Sequence, residues 1–176
     1  MIPKSVQSLN HRERAVAEGI HAVQMAAYAQ EARLLGAKHF PPLERTVEDI
    51  QASDEAFFGV LEEGRIIGAL SVWPDEEPGA MNISSLVVAP HRQHQGIGRL
   101  LLAAALEQWR HVVLTVSTVA KNAPALSLYA KFGFKEYRRR SLGAEAVELV
   151  KLRRFLPEAA SPEADGPPPA SRPSSH

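Results

Sequence analysis

The stretch "MNISSLVVAPHRQHQGIGRLLLAAALEQW", residues 81–109, constrains this chain more than any other part of it. It begins as a strand, "MNISSLVV", and closes as an alanine- and leucine-rich helix running from about Gly96 to Arg110. Pro90 stops the strand, because it cannot donate to a ladder. The join between the two periods is Gln93-His94-Gln95-Gly96-Ile97-Gly98. Glycines this close together at a helix entrance place unpaired N–H groups and a positive dipole end within reach of a guest. Gly96 and Gly98 would let an anion approach the backbone, and phosphate is the natural guest. Arg92 and Arg99 flank the turn and add charge.

The other periods alternate around this unit. Residues 11–35 are helical in pattern, with Val16, Ile20, Val23, Ala27 and Leu34 on one face and Gly36 as the stop. "HFPPLERT" reads as a loop, because paired prolines cannot continue a helix. Thr46 caps a short helix, "VEDIQAS", with Asp49 in its first turn. "AFFGVLEE" and "RIIGALSVW" form a hairpin about Gly64, and "VVLTVST" is a buried strand. "APALSLYAKFG" is a short helix ending at Gly133, and "FKEYRRRSL" pairs with "AVELVKLRR" around "GAE". The order is helix, helix, three strands, helix, strand, helix, two strands. That is an α/β fold, a mixed sheet with helices on both faces.

Residues 1–156 are expected to form one domain. Pro157 to His176 contains no aromatic and no branched aliphatic residue, so it reads as a flexible tail. Lys+Arg and Asp+Glu are both 20, which speaks against a nucleic-acid partner. The chain has no cysteine, which removes disulfides, thiolate nucleophiles and cysteine metal sites. His91 and His94 lie three apart with no third ligand nearby in sequence, so no metal is expected. No apolar run approaches bilayer length, and "MIPKSVQSLNHRER" lacks a signal-peptide core. No membrane association and a cytoplasmic location are the expectations.

Two familiar nucleotide loops can be tested by spacing. A P-loop needs Gly-Lys-Ser/Thr, and here Gly98 is followed by Arg99 and Leu100. The dinucleotide fingerprint needs a third glycine where Leu101 stands. Both fail. On these residues alone, a tight turn without a ligand stays open beside an anion site.

The wider pattern resembles the GNAT superfamily of acyl-CoA-dependent N-acyltransferases. Gln93, Gly96 and Gly98 match its Gln/Arg-x-x-Gly-x-Gly/Ala motif. Asn122, Leu128, Tyr129, Gly133 and Phe134 match a second signature, in the right order, and the resemblance covers roughly residues 56–154. It implies a mixed, mostly antiparallel sheet, splayed at its centre, with helices on both faces. It implies acetyl-CoA as cosubstrate, and acetyl transfer to a primary amine by direct attack in a ternary complex.

Carried over to this chain, the resemblance implies that the main-chain N–H groups of Gln93, His94, Gln95, Gly96, Ile97, Gly98 and Arg99 hold the pyrophosphate. Leu86 and Val88 would offer main-chain groups to the pantetheine arm, freed by a strand bulge. The Val88 N–H would serve the oxyanion. Tyr129 would protonate the leaving thiolate, its alternative being a core aromatic. Asn122 would bond the pantetheine or a strand carbonyl, its alternative being a helix cap. The acceptor would be a small-molecule or peptide amine, and a homodimer is left open. The rival reading is a non-catalytic acyl-CoA-binding or interaction module of the same fold.

One departure concerns the general base. Many relatives carry a carboxylate on the strand before the turn, but Ile83-Ser84-Ser85-Leu86 has none. A water chain ordered by Ser85 or Thr115 is one substitute, and a carboxylate from elsewhere is another. On the first helix His21, Gln24, Tyr28 and Glu31 form a polar-aromatic stripe. Tyr28 and Glu31 would face the acceptor, with Phe40 and Leu43 beside them. The alternative is a plain solvated face. "KEYRRR", Lys135 to Arg140, alternates and reads as a solvated strand.

Overall fold

The structure, a computed structural model, describes residues 4–143 and 147–155. The expected tail and the turn around residues 144–146 lie outside the described residues. In chain order the elements are β1 (Val6–Leu9), α1 (Arg14–Leu35), α2 (Val47–Ala52), β2 (Ala56–Glu62), β3 (Arg65–Pro74), β4 (Met81–Val88), α3 (Ile97–Gln108), β5 (Leu114–Val119), α4 (Ala123–Lys131), β6 (Lys135–Leu142) and β7 (Val147–Arg154).

The element order read from the sequence holds, with two additions. Strand β1 was not expected. "VQSL" carries no period of its own and becomes a strand by pairing antiparallel with β2, Val6 opposite Val60. The prolines of "HFPPLERT" do not stop helical geometry altogether. Pro41–Glu44 forms one 3-10 turn with proline in its first positions, where a missing N–H costs nothing.

Local chemistry explains the helix ends. Gly36 closes α1 in the left-handed region (φ 62°), and the Ala37 N–H reaches the Ala32 carbonyl at 3.0 Å. Thr46 and Asp49 cap α2 reciprocally, at 3.1 and 2.8 Å.

The seven strands form one sheet in the order β1-β2-β3-β4-β5-β7-β6. Every neighbouring pair is antiparallel except β4 with β5. That parallel pairing lasts only from Met81–Ile83 against Leu114–Val116. Beyond it β4 runs on to Val88 and β5 to Val119 without a shared ladder, so the sheet splits at its centre.

Helices cover both faces. Val23 of α1 packs with Ala69, Val87 and Ala89 on one face. On the other, Ile97, Leu101 and Leu102 of α3 pack with Leu70, Val72, Ile83, Leu114 and Val150. Each fully buried leucine there contributes roughly 1.5–3 kcal/mol by leaving water. Gly68 sets how closely α3 approaches: a Cβ on it would meet Ile97 Cγ2 at 2.6 Å. Among the described residues, no helix is long and apolar enough to cross a membrane.

Candidate active site

The turn between β4 and α3 is built as a cradle. His94 (φ 62°) and Gly96 (φ 79°) both lie in the left-handed region. Alternation of this kind turns successive N–H groups towards one concavity. The Arg92 N–H bonds the Ala89 carbonyl at 2.8 Å, and the Leu100 N–H bonds the Gly96 carbonyl at 3.0 Å. Between these two, no loop N–H has an acceptor among the described residues. No atom lies within 4 Å of where a Gly96 side chain would start. Gly98 is different, because a Cβ there would make ordinary contact with Leu128 at 3.5 Å.

Side chains brace the loop. Gln93 Nε2 donates to Gln30 Oε1 on α1 at 2.7 Å, and Lys4 Nζ donates to Gln95 Oε1 at 2.9 Å. Arg92 does not add free charge as expected, because it is ion-paired with Glu62. Arg99 is exposed.

The split exposes main-chain groups of β4. The Ala89 N–H bonds Ile67 of β3 at 2.9 Å, and Val87 sits opposite Ala69. By ladder alternation, Leu86 and Val88 direct their N–H and C=O groups to the opposite edge, where β5 has left. Gln93 Nε2 approaches the Val88 carbonyl there at 3.4 Å. The expected bulge lies earlier, at Ser84, since Ser71 pairs with Ser85 and Val72 with Ile83, and it is the departure of β5 that leaves Leu86 and Val88 free. The bulge keeps Ile83 and Leu86 in the α3-side core and turns Ser85 towards α1.

Seven side chains from five stretches of the sequence gather beside this opening. Tyr28 Oη and Ser85 Oγ are 2.6 Å apart, and Gln24 Nε2 donates to the same Ser85 oxygen at 3.3 Å. Phe40 packs edge-on against Tyr28, centroids 6.1 Å apart. Asn122 does two jobs: Oδ1 accepts from the Ala125 N–H at 3.3 Å, capping α4, and Nδ2 donates to Glu31 Oε1 at 3.4 Å. Tyr129 is 5% exposed, packs on Phe134, and has no hydrogen-bond partner among the described residues.

The electrostatics run from Glu31 to the two tyrosines. Burial raises the Glu31 carboxyl above the usual range, against the opposing bond from Asn122. Burial, then the charges of Glu31 and Tyr28, push the Tyr129 phenol far up. Burial also raises Tyr28, partly offset by its bond to Ser85. The stripe on α1 is therefore not a solvated face at Gln24, Tyr28 and Glu31. His21 leaves it, its Nε2 lying 3.0 Å from the Arg45 carbonyl.

Thr115 is not part of this cluster, and its expected role in a water chain is corrected. It is fully buried, donates to Asp75, and accepts from Asn82 Nδ2 at 2.9 Å. Asp75 in turn accepts from Lys151 Nζ at 3.0 Å. The hydroxyl is consumed in a network at the foot of the split, where β4 and β5 still pair. Ser85, one strand over and beyond the split, keeps its place beside Tyr28.

Sequence reasoning missed a second wall. An open groove of about 330 Å³ is lined by Ser53, Glu55, Trp73, Asn82 and Ser84, among others. Glu55 is 8% exposed. Burial raises its carboxyl, but Arg45, Ser53 and Ser71 outweigh that and hold it low, hence ionised. Ser71, which donates to Glu55 at 2.9 Å, pairs with Ser85 across β3 and β4, so the groove and the cluster adjoin. The only sequence signal for Glu55 is an acid just before an apolar strand, and its partners come from three other places in the chain.

Known proteins fit this geometry. The family described as "Acetyltransferase (GNAT) family" matches residues 19–134. The UPF0157 protein YqkA of Bacillus subtilis is 36% identical over 132 residues, 74% of this chain. The chain spans only 38% of that relative's length. The ribosomal-protein-S18-alanine N-acetyltransferase of Escherichia coli superposes with a TM-score of 0.68 at 18% identity, covering 90% of this chain and 97% of its own. Salmonella typhimurium yncA, solved with its cofactor acetyl-CoA, gives 0.70 at 18% identity, covering 92% and 99%. At those identities the structures establish a shared fold. The split sheet, the glycine cradle and the matched span together assign this chain to the GNAT acetyltransferase family.

Proposed function

We propose that this chain is an N-acetyltransferase that moves an acetyl group from acetyl-CoA to a primary amine by direct attack within a ternary complex. One observation carries the reading. Glu31, Tyr28, Ser85, Asn122 and Tyr129 converge beside the one place where β4 has main-chain groups without a ladder partner.

The donor set fits the cosubstrate. Unpaired N–H groups from Gln93 to Arg99, left-handed residues at His94 and Gly96, and open space at Gly96 suit a pyrophosphate. Leu86 and Val88 suit an amide-bearing arm, which completes a ladder β5 does not supply. Acetyl-CoA supplies the electrophilic acetyl group and a thiolate leaving group.

The chain's own groups do the rest. The Glu31 carboxylate takes the amine proton, directly or through one water, and its raised affinity for protons suits that task. It replaces the carboxylate that β4 lacks. The Val88 N–H donates to the acetyl oxygen as negative charge develops there. The Tyr129 hydroxyl keeps its proton through neutral pH and donates it to the departing sulfur. Tyr28, fixed by Ser85 and Phe40, orients the amine.

The test pairs binding with turnover. The chain should bind acetyl-CoA and acetylate at least one member of a panel of small amines and peptides. Gly96→Ala forces a side chain into left-handed backbone, costs about 1 kcal/mol, and should raise the acetyl-CoA KM. Binding without transfer to any amine favours the non-catalytic module.

A further inference from the structure

One face of the sheet is left half bare. Helix α1 packs on β3 and β4, and on that same face Ser117, Arg138 and Arg140 are exposed. Thr115, Ser117, Lys151 and Arg153 share this face by strand alternation and register, and Thr115 ties it to Asn82 in the groove. Ser117, Arg138, Arg140, Leu149 and Lys151 line one shallow hollow on it.

The charges there are sorted rather than solvated at random. The middle residue of "RRR" turns to the opposite face, where Arg139 bonds Glu136 at 2.9 Å and Glu148 at 3.1 Å. Arg138 and Arg140 have no ion-pair partner among the described residues. Tyr137 acts as a platform, with Arg153 4.7 Å, Arg138 5.8 Å and Lys151 6.0 Å from its ring centre. Of the acids on this face, Glu31 and Glu55 lie on the half that α1 covers, and Asp75, beside the strip, is taken by Thr115 and Lys151. The cradle is elsewhere, since α3 packs on the opposite face. A cosubstrate held there does not neutralise the strip.

Distance selects the guest. Neighbouring strands lie about 4.8 Å apart, so β7 is about 10 Å and β6 about 14 Å from β4, more where the sheet splays. A small amino acid cannot hold its amine at β4 and its carboxylate on Arg140. An extended peptide advances about 3.4 Å per residue and reaches the strip with its third to fifth residues. Resting on the acetyltransferase reading, we propose that Arg138 and Arg140 select a peptide acceptor with acidic side chains three to five residues from the amine that is acetylated.

Pentapeptides with a free amino terminus and aspartates, serines or lysines at positions three to five test this. The aspartate series should show a KM about fivefold below the serine series. R138S/R140S should erase that advantage with kcat preserved, and R138E/R140E should transfer it to the lysine series. Aspartates placed only at position two should confer no advantage, because they fall short of the strip. An aspartate preference that survives both double variants overturns the proposal. So does transfer to small amines alone, or Arg138- and Arg140-dependent binding of an oligothymidine that leaves peptide kinetics untouched. If no amine of any kind is acetylated while acetyl-CoA binds, the acetyltransferase reading fails. Anisotropy of a labelled aspartate peptide on the CoA-loaded protein then decides the strip: loss of binding in R138E/R140E supports it, and unchanged binding sinks it.

Discussion

Two polar clusters lie along the split of this sheet, one just beyond it and one at its foot. At the foot, Asp75, Asn82, Thr115 and Lys151 close on one another. Burial raises Asp75, but Thr115, the Glu77 N–H and Lys151 bring it below the ordinary range. Beyond the split, Glu31 and Tyr129 are pushed up and keep unused bonding capacity. A closed network holds strands together. An open one, in which burial raises Glu31 and the Glu31 charge adds to burial in raising both tyrosines, is organised for proton transfer. The split thus separates stability from chemistry within a few residues of β4.

The largest expected effect breaks the foot. Asp75→Ala leaves Lys151 without its partner and should lower stability by roughly 3 kcal/mol, read by denaturant titration. The pH dependence has a definite sign. Asp75 is depressed, so its contribution is present above the ordinary aspartate range and fades as pH falls through the folded value. Lys151 is raised, so its contribution is present below the ordinary lysine range and fades as pH climbs through the folded value. The variant should therefore lose most at neutral pH and little in strong acid.

Tyr129→Phe attacks the open cluster. It should cut kcat at least ~10-fold, within what general acid catalysis contributes, while acetyl-CoA binding is retained. An unchanged kcat removes Tyr129 from the chemistry. Glu31→Gln sharpens the contrast, because its two readouts move in opposite directions. Turnover should fall about tenfold and lose its acid limb, which in the parent lies above the ordinary glutamate range. The melting temperature at neutral pH should rise. A carboxyl raised in the fold favours folding when protonated and opposes it once ionised, and glutamine removes that opposition. A drop in melting temperature would place Glu31 with the closed type. Asn122→Ala gives the smallest change. It should cost about 1 kcal/mol through the lost cap and move the acid limb to higher pH as Glu31 loses its donor. A pH–rate profile beside a thermal melt reads both.

Much of the fold was legible because it rests on local period. Alternation marked β2, β3 and β4, and Gly36, Thr46 and Gly96 punctuated the helices. Strand β1 was invisible because its strand character comes from pairing with β2. In the site, Tyr28 and Glu31 stood out by their spacing on α1, whereas Asn122 and Tyr129 were named through the family resemblance and Ser85 through the missing strand carboxylate. Thr115 was misread because its partner Asp75 is 40 residues away in sequence. Glu55 was missed because its burial and its bonds to Arg45, Ser53 and Ser71 arise from packing of a loop, a helix end and β3, which no single period of the sequence marks.

By itself the sequence determined the α/β order and the glycine cradle, because turn geometry and helix starts depend on a few adjacent residues. It also determined the family, through two motifs at a set separation. The tertiary structure alone decided which carboxylate stands beside Tyr129 and which hydroxyl is already spent. Those choices depend on where β4 and β5 part, and a strand's edge partners are set by the whole sheet rather than by its own residues.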